Sequence, residues 1–185
     1  MYELMHKYPS NVTPLLKPGS AIDVFLQPGE FFVGGADFRV RTLLGSCVSI
    51  TLWHPARQIG AMSHFLLARR ARASDSLDGK YGEDALELMW AGLIAHGVDP
   101  RQCVGKVFGG ADMFCGLPAS REFHIGRNNG EAARDMLAAR GIVVRAEHLF
   151  GAGHRQVLFD IKDGDVWVRQ VTPTGDASPA ARKRQ

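Results

Sequence analysis

The chain has 185 residues, of which 45% are apolar and 22% are charged, and its formal net charge is +3. This composition excludes a disordered chain, a collagen-like repeat and a small disulfide-rich scaffold, and the length favours one domain with a hydrophobic core. The basic run at residues 182–184 accounts for the whole positive excess, so the rest of the chain is neutral. We therefore expect no nucleic-acid partner.

The cysteine count and the chain's start bear on the cellular compartment. Three cysteines at irregular spacing do not form a disulfide framework. No charged segment followed by an apolar one opens the chain, which predicts the absence of a signal peptide. The uncharged stretch at residues 42–56 is short for a membrane helix. We expect a cytoplasmic protein with reduced thiols and no direct membrane insertion.

Strands dominate the first part of the chain. Residues 1–21 contain prolines and serines without periodicity, which predicts an N-terminal arm on the surface. Alternating and apolar runs then predict short strands, which lie at residues 22–26, 31–33, 38–40, 48–53 and 60–68. The last two runs flank turn residues and predict a hairpin. A polar, basic loop at residues 69–80 follows.

The second part of the chain mixes helices and strands. Apolar residues at helical spacing predict a helix over residues 82–96, and Asn128 or Asn129 can cap a second helix that ends at Gly141. Further strands are predicted at residues 103–108, 142–144, 156–161 and 166–171. An Asp-Gly turn joins the last two.

These elements predict a single domain over residues 22–171, followed by a flexible basic tail at residues 172–185. Many strands with about two main helices and no internal repeat indicate the α/β class, as a single mixed α/β domain.

Cys47 is the strongest candidate for chemistry. Gly45 and Ser46 precede it and predict a tight turn that presents the thiol at the start of a strand, with backbone N–H groups free to receive an oxyanion. A free cysteine is also a common small buried apolar residue, so position alone leaves both interpretations open.

His64 is the candidate partner of Cys47. If the hairpin turns through a two-residue loop at Pro55 and Ala56, Cys47 lies directly opposite His64, with Cβ atoms about 4.5 to 5.5 Å apart. A register slip of one residue would place them on opposite faces. The alternative is a buried histidine bonded to a backbone carbonyl. An imidazole beside a thiol can activate it for attack on an acyl carbon.

Thr42 is the candidate third member. Its hydroxyl could orient the histidine or hold the turn, and an ordinary strand threonine is an equal alternative. Other groups are weaker. Cys103, Cys115 and His124 lack the spacing of a zinc site, and Gly109 with Gly110 is not followed by the residues of a phosphate-binding loop. We expect no metal and no cofactor.

Several short segments together resemble one known family. The LGSCV segment at residues 44–48 is followed by His64 within GAMSHFLL, and the remaining matching segments are PGE at 28–30, YGEDA at 81–85, KVFGGA at 106–111 and IGRN at 125–128. This ordered set, over roughly residues 22–171, resembles the CheD family of chemoreceptor glutamine deamidases.

The resemblance implies an enzyme that converts glutamines of methyl-accepting chemotaxis receptors to glutamate with release of ammonia. Carried over by position, Cys47 is the nucleophile and His64 the general base and acid. The family's third catalytic residue is a threonine shortly before the cysteine; Arg41 stands where one branch has it, and the adjacent Thr42 is the choice by chemical type. The family fold is an α/β sandwich similar to glutamine-deamidating bacterial toxins, and the chemistry requires no cofactor.

Two features leave other readings open. The GAGHR segment at residues 151–155 departs from the family's glycine pattern, which concerns contacts with substrate or partner. The family also pairs in some systems with the phosphatase CheC, so a non-catalytic chemotaxis adaptor is the main alternative. A thiol hydrolase or transglutaminase-like enzyme acting on another amide is a third reading.

Overall fold

A computed structural model describes residues 21–72, 74–112, 125–171 and 183–184. Nearly all of the expected N-terminal arm lies outside these residues, as does the expected tail apart from residues 183–184. Cys115 and His124 also lie outside them.

The described residues form ten strands, two α-helices and one short 3-10 helix. The strands are β1 (Ile22–Phe25), β2 (Phe31–Gly34), β3 (Phe38–Leu44), β4 (Val48–His54), β5 (Ile59–Ser63), β6 (Val104–Gly109), β7 (Val144–Leu149), β8 (His154–Asp160), β9 (Val166–Val171) and β10 (Lys183–Arg184). The helices are α1 (Gly82–Ala95) and α2 (Ile125–Ala139), and the 3-10 helix is Pro100–Gln102.

The strands form two five-stranded mixed sheets. The first sheet has the order β1-β3-β8-β9-β10 and the second has the order β2-β5-β4-β6-β7. The β1·β3 and β6·β7 pairs are parallel, whereas the other pairs are antiparallel. Since β3 belongs to the first sheet and β4 to the second, the chain crosses between the sheets at residues 45–47.

Two interior layers hold these sheets and the helices together. Helices α1 and α2 pack on the second sheet. The layer between the helices and this sheet includes Val48, Phe65 and Leu93. The two sheets pack face to face around a second layer that includes Leu44, Met62 and Phe159. The expected single-domain α/β sandwich with two main helices is therefore confirmed.

Alternation in the sequence explains which residues face inward. In β3, the side chains of Val40, Thr42 and Leu44 are buried and those of Arg41 and Leu43 are exposed, as period-two geometry requires. Thr42 therefore points from the first sheet toward the second.

Three local predictions were wrong. The strand expected at residues 142–144 begins only at Val144, because Gly141 ends the helix in a left-handed conformation and Ile142 fills the core. Neither Asn128 nor Asn129 caps α2, because the helix already begins at Ile125.

The third error concerns the hairpin of β4 and β5. His54 pairs with Ile59, so the loop spans the four residues 55–58 and not two. Gln58 adopts a left-handed φ of 49° in this loop. The register is consequently shifted by two residues, and Val48 pairs with Phe65. A shift of two keeps every side chain on its expected face.

Among the described residues, no helix is both long enough and apolar enough to cross a membrane.

Candidate active site

Cys47 lies on the crossing between the two sheets. It follows the end of β3 at Leu44 and directly precedes β4, which begins at Val48. Its side chain is partly exposed and packs against the layer between the sheets. Gly45 and Ser46 form a bend between the two strands, and the partial exposure of Cys47 places it at the edge of the inter-sheet layer.

The backbone of this crossing is held by the segment after β6. The Gly45 carbonyl accepts a hydrogen bond from Ala111 N at 2.9 Å, and the Cys47 carbonyl accepts one from Gly110 N at 2.9 Å. Gly109 has a φ of +113°, and a Cβ there would lie 2.2 Å from the Cys47 carbonyl oxygen. Only glycine permits this approach, so the Gly109-Gly110 pair supports the cysteine turn.

His64 faces the same layer as Cys47. Val48 and Phe65 pair across β4 and the segment after β5, and both are fully buried on the helix side of the second sheet. Because neighbouring residues of a strand point to opposite faces, Cys47 and His64 point to the inter-sheet side. They are diagonal neighbours and not the directly opposed pair that the two-residue loop predicted. Such positions are about 7 to 8 Å apart, within reach of long side chains.

A turn before β2 fixes the backbone of His64. Its N–H donates to the Glu30 carbonyl at 2.9 Å, and its carbonyl accepts from Gly29 N at 2.7 Å. Gly29 has a φ of +88°, which glycine adopts readily. The PGE segment therefore holds the backbone of the histidine from the strand edge.

Thr42 contacts His64 across the gap between the sheets. Thr42 Oγ1 lies 2.8 Å from the Leu26 carbonyl oxygen and 2.7 Å from His64 Nδ1. Because a carbonyl only accepts, the hydroxyl donates its single proton to Leu26. Its oxygen then accepts from His64 Nδ1–H, which leaves Nε2 unprotonated. This tautomer is the one that a general base requires.

Burial sets the resting protonation of both groups. It raises the pKa of the Cys47 thiol above 9.0, against a smaller opposing effect of a hydrogen bond from the residue's own backbone. Burial also lowers the pKa of His64 below 6.5, with smaller opposing effects from the Leu26 carbonyl and the Glu30 charge. Both shifts favour the neutral forms, thiol and imidazole, over a thiolate–imidazolium ion pair.

Asn129 is a site neighbour for which the sequence predicted only a capping role. Its side chain is 2% exposed and lies on the first turns of α2. Its Nδ2 donates to the Ser46 carbonyl at 3.2 Å and to the Leu66 carbonyl at 2.7 Å. It thus joins the segment before Cys47 to the segment after His64. The IGRN motif was the only sequence feature near it.

The candidates for a metal site do not assemble in the described part of the chain. No group of three or more metal-binding side chains occurs among the described residues, and Cys115 and His124 lie outside them. Cys103 lies in the helix-side layer, 5% exposed. Burial, with a smaller contribution from Asp99, raises its pKa to about 12, so it is a buried thiol.

Comparisons with known proteins point to one family. Residues 66–170 match the CheD family model, described as chemotactic sensory transduction. This match begins after Cys47 and His64, so it depends on the part of the domain that follows them in the sequence.

Similar whole proteins extend the comparison. The chain is 54% identical over 159 residues to a probable chemoreceptor glutamine deamidase CheD 2 of Albidiferax ferrireducens. This alignment covers 85% of this chain and 92% of the relative. The chain is 45% identical over 152 residues to a CheD 3 of Dechloromonas aromatica with the same descriptive name, at 82% and 89% coverage. It is 40% identical over 154 residues to one from Pseudomonas syringae pv. tomato, at 83% and 92% coverage.

The first of these alignments covers so much of the chain that it necessarily includes residues 47 and 64. Together with the match over residues 66–170, these similarities establish that the chain belongs to the CheD family.

Proposed function

We propose that this protein is a chemoreceptor glutamine deamidase in which Cys47 attacks the side-chain amide of the substrate glutamine. Its relatives are named as probable chemoreceptor glutamine deamidases. The observation that carries the assignment of residues is the bond between Thr42 and His64 Nδ1, because it leaves a basic nitrogen on the histidine that shares a face with Cys47.

The first half of the reaction forms a thioester. His64 Nε2 removes the proton of Cys47 Sγ as the sulfur attacks the carboxamide carbon. Backbone N–H groups around residues 45–47 stabilise the oxyanion of the tetrahedral intermediate. The imidazolium then returns its proton to the amide nitrogen, the C–N bond breaks, and ammonia leaves.

The second half restores the enzyme. His64 takes a proton from water as the water oxygen attacks the thioester carbon. When this intermediate collapses, the C–S bond breaks and the proton returns to Cys47, which leaves a glutamate side chain. Thr42 keeps the histidine in one tautomer, and no step uses a metal or an organic cofactor.

The substrate class implies the partners and the compartment. The proposed substrates are glutamines on cytoplasmic helices of methyl-accepting chemotaxis receptors, so the enzyme acts in the cytoplasm. A CheC-type phosphatase is a further proposed partner. Each turnover adds a negative charge to the receptor helix.

The test uses the full-length protein and purified receptor cytoplasmic fragments. Wild type is expected to release ammonia and to raise the fragment mass by roughly one dalton per modified glutamine. Cys47→Ala is expected to abolish both and remain folded, whereas Cys103→Ala, at a buried cysteine of the helix-side layer, is the matched control that keeps activity. Deamidation by Cys47→Ala at the wild-type rate would overturn the assignment. Receptor binding by wild type without ammonia release would support the adaptor reading.

A further inference from the structure

We propose that Asn129 is a positioning residue that aims the backbone N–H of Cys47 at the oxyanion of the tetrahedral intermediate. This inference rests on the proposed deamidase function and deepens it, because it names the residue that controls the oxyanion site. The Asn129 side chain donates hydrogen bonds to the Ser46 and Leu66 carbonyls and not to the thiol or the imidazole. It therefore acts through the peptide group between Ser46 and Cys47.

The contacts of Asn129 fix the orientation of its amide. Both of its partners, the carbonyl oxygens of Ser46 and Leu66, only accept hydrogen bonds. The atom that faces them must therefore be the nitrogen, and each of its two hydrogens serves one carbonyl. Because the residue is 2% exposed, water does not readily replace either bond.

The three consecutive carbonyls of residues 45–47 each accept a hydrogen bond. Those of Gly45 and Cys47 accept from the backbone of Ala111 and Gly110. That of Ser46 accepts from the Asn129 side chain. Asn129 is therefore the only side chain among the described residues with a recorded hydrogen bond to these three carbonyls.

The direction of the Ser46 carbonyl determines the direction of the Cys47 N–H. In a trans peptide, the C=O of one residue and the N–H of the next point in opposite directions. Because Asn129 draws the Ser46 carbonyl toward α2, the Cys47 N–H points away from α2. In acyl-transfer enzymes the backbone N–H of the nucleophilic residue itself serves as an oxyanion donor, so the direction of the Cys47 N–H decides how well it can stabilise the tetrahedral intermediate.

His64 does not depend on Asn129 in the same way. Its backbone is held by Gly29 and Glu30, and the next residue, Phe65, exchanges two backbone bonds with Val48 at 3.1 and 3.0 Å. Loss of Asn129 should therefore leave the thiol and its base in place and misdirect only the oxyanion donor.

Because Asn129 is expected to affect the oxyanion donor and not the thiol or its base, the rates of deamidation and of Cys47 alkylation together test its role. Deamidation needs the nucleophile, the base and the oxyanion donor, whereas alkylation of Cys47 by iodoacetamide needs only the thiol and its base. The variant is Asn129→Ala, and the matched control is Asn128→Ala, at the exposed neighbouring asparagine of the same helix. Cys103 reports folding, because it is buried and alkylates only when the core opens.

We expect Asn129→Ala to lower the kcat of deamidation by roughly 10- to 100-fold, which is less than complete removal of an oxyanion donor. KM and the alkylation rate of Cys47 should stay within about twofold of wild type, with Cys103 still protected. Asn128→Ala should match wild type in all four measurements. If Asn129→Ala exposes Cys103, Asn129→Ser, which keeps a donor, replaces it and should show a smaller kcat loss with Cys103 protected.

Two outcomes would overturn the inference. One is a kcat within about twofold of wild type in a folded Asn129 variant. The other is a parallel fall of kcat and Cys47 alkylation, which would assign Asn129 a general structural role. The proposed function fails separately, because in that case the wild-type protein itself releases no ammonia or Cys47→Ala remains active.

Discussion

The two interior layers of this protein differ in what they bury. The layer between the helices and the second sheet is mainly apolar, with side chains such as Ile50, Met89 and Leu93, and its buried Ser63 bonds to the backbone. The layer between the two sheets contains a comparable apolar cluster, but Thr42 and His64 are buried beside it. The second layer therefore differs from the first in holding a hydrogen-bonded threonine–histidine pair beside Cys47.

This difference shows how buried polar groups are tolerated beside the candidate nucleophile Cys47. A buried polar group without a partner costs free energy, and Thr42 and His64 satisfy each other and the Leu26 carbonyl. The bond joins a residue of the first sheet to a residue that follows a strand of the second. Sheet packing therefore sets the geometry of the pair, and changes in the two layers should have separable effects.

The largest effect is expected for His64→Ala. Loss of the base should lower kcat by at least about 10³-fold and should also slow alkylation of Cys47, because burial raises the pKa of the thiol and the variant lacks the imidazole that takes its proton. His96→Ala, at the C-terminal end of α1, is the matched control and should retain activity. The measurements are steady-state ammonia release and iodoacetamide kinetics. Wild-type activity in His64→Ala would remove the histidine from the mechanism.

In the helix-side layer, Leu93→Ala is expected to lower stability and to leave activity unchanged. Leu93 is fully buried, and truncation to alanine should lower the free energy of unfolding by about 2 to 5 kcal/mol through lost burial and cavity formation. The kcat/KM of the folded fraction should remain within about twofold of wild type. Urea unfolding and activity assays on the same sample measure both. A large loss of kcat/KM would show that the two layers are coupled.

Thr42→Val tests the bond that spans the sheets. Valine keeps the shape of threonine but removes the hydroxyl from His64 Nδ1 and the Leu26 carbonyl, which then keep only their own longer contact of 3.5 Å. We expect kcat to fall by about 10- to 100-fold, or about 1.4 to 2.7 kcal/mol of barrier, because the histidine can adopt the wrong tautomer. Thr42→Ser keeps the hydroxyl and should recover most of the activity. Equal losses in both variants would contradict the orienting role.

The sequence predicted the elements that carry the site because their signals are local. Alternation and turn residues located β3, β4 and β5, and the helix expected at residues 82–96 is observed as Gly82–Ala95. A two-residue error in the hairpin did not separate Cys47 from His64, because faces repeat every two residues. Thr42 was chosen by chemical type, and its contact with His64 agrees with that choice.

The supporting contacts were not predictable because they join distant segments. Asn129 reaches Ser46 and Leu66 across 83 and 63 residues, and no local periodicity encodes such a bond. The sequence showed Gly109 only as half of a Gly-Gly pair that lacks the residues of a phosphate-binding loop, and its packing against the Cys47 carbonyl explains it. The fold was thus predicted from patterns, whereas the environment of the thiol required the tertiary structure.

A pH dependence of stability should follow from His64. Its folded pKa lies below 6.5 because burial disfavours the charged imidazole. As pH falls below 6.5, the unfolded chain binds a proton that the folded chain does not, so the free energy of unfolding decreases. This one group contributes at most about 1.4 kcal/mol per pH unit. Urea unfolding between neutral and mildly acidic pH should show a steeper decrease for wild type than for His64→Ala, and identical slopes would contradict the assignment.

The smallest effect is expected for Ser49→Ala in β4. Ser49 is fully buried, and its hydroxyl has no hydrogen-bond partner among the described residues. Its removal should leave the free energy of unfolding unchanged or raise it by up to about 1 kcal/mol. Ser63→Ala is the matched comparison, because the Ser63 hydroxyl accepts the Ile50 N–H at 3.2 Å. That variant should lose about 1 to 3 kcal/mol.

Activity measurements on the Ser49 and Ser63 variants sharpen the contrast between the two layers. By strand parity Ser49 points to the inter-sheet side, as Cys47 does, whereas Ser63 points toward the helices. If Ser49→Ala keeps both stability and kcat, its hydroxyl has no part in the reaction. A fall in kcat at unchanged stability would instead add Ser49 to the groups that serve His64, since the register sets the two residues opposite each other.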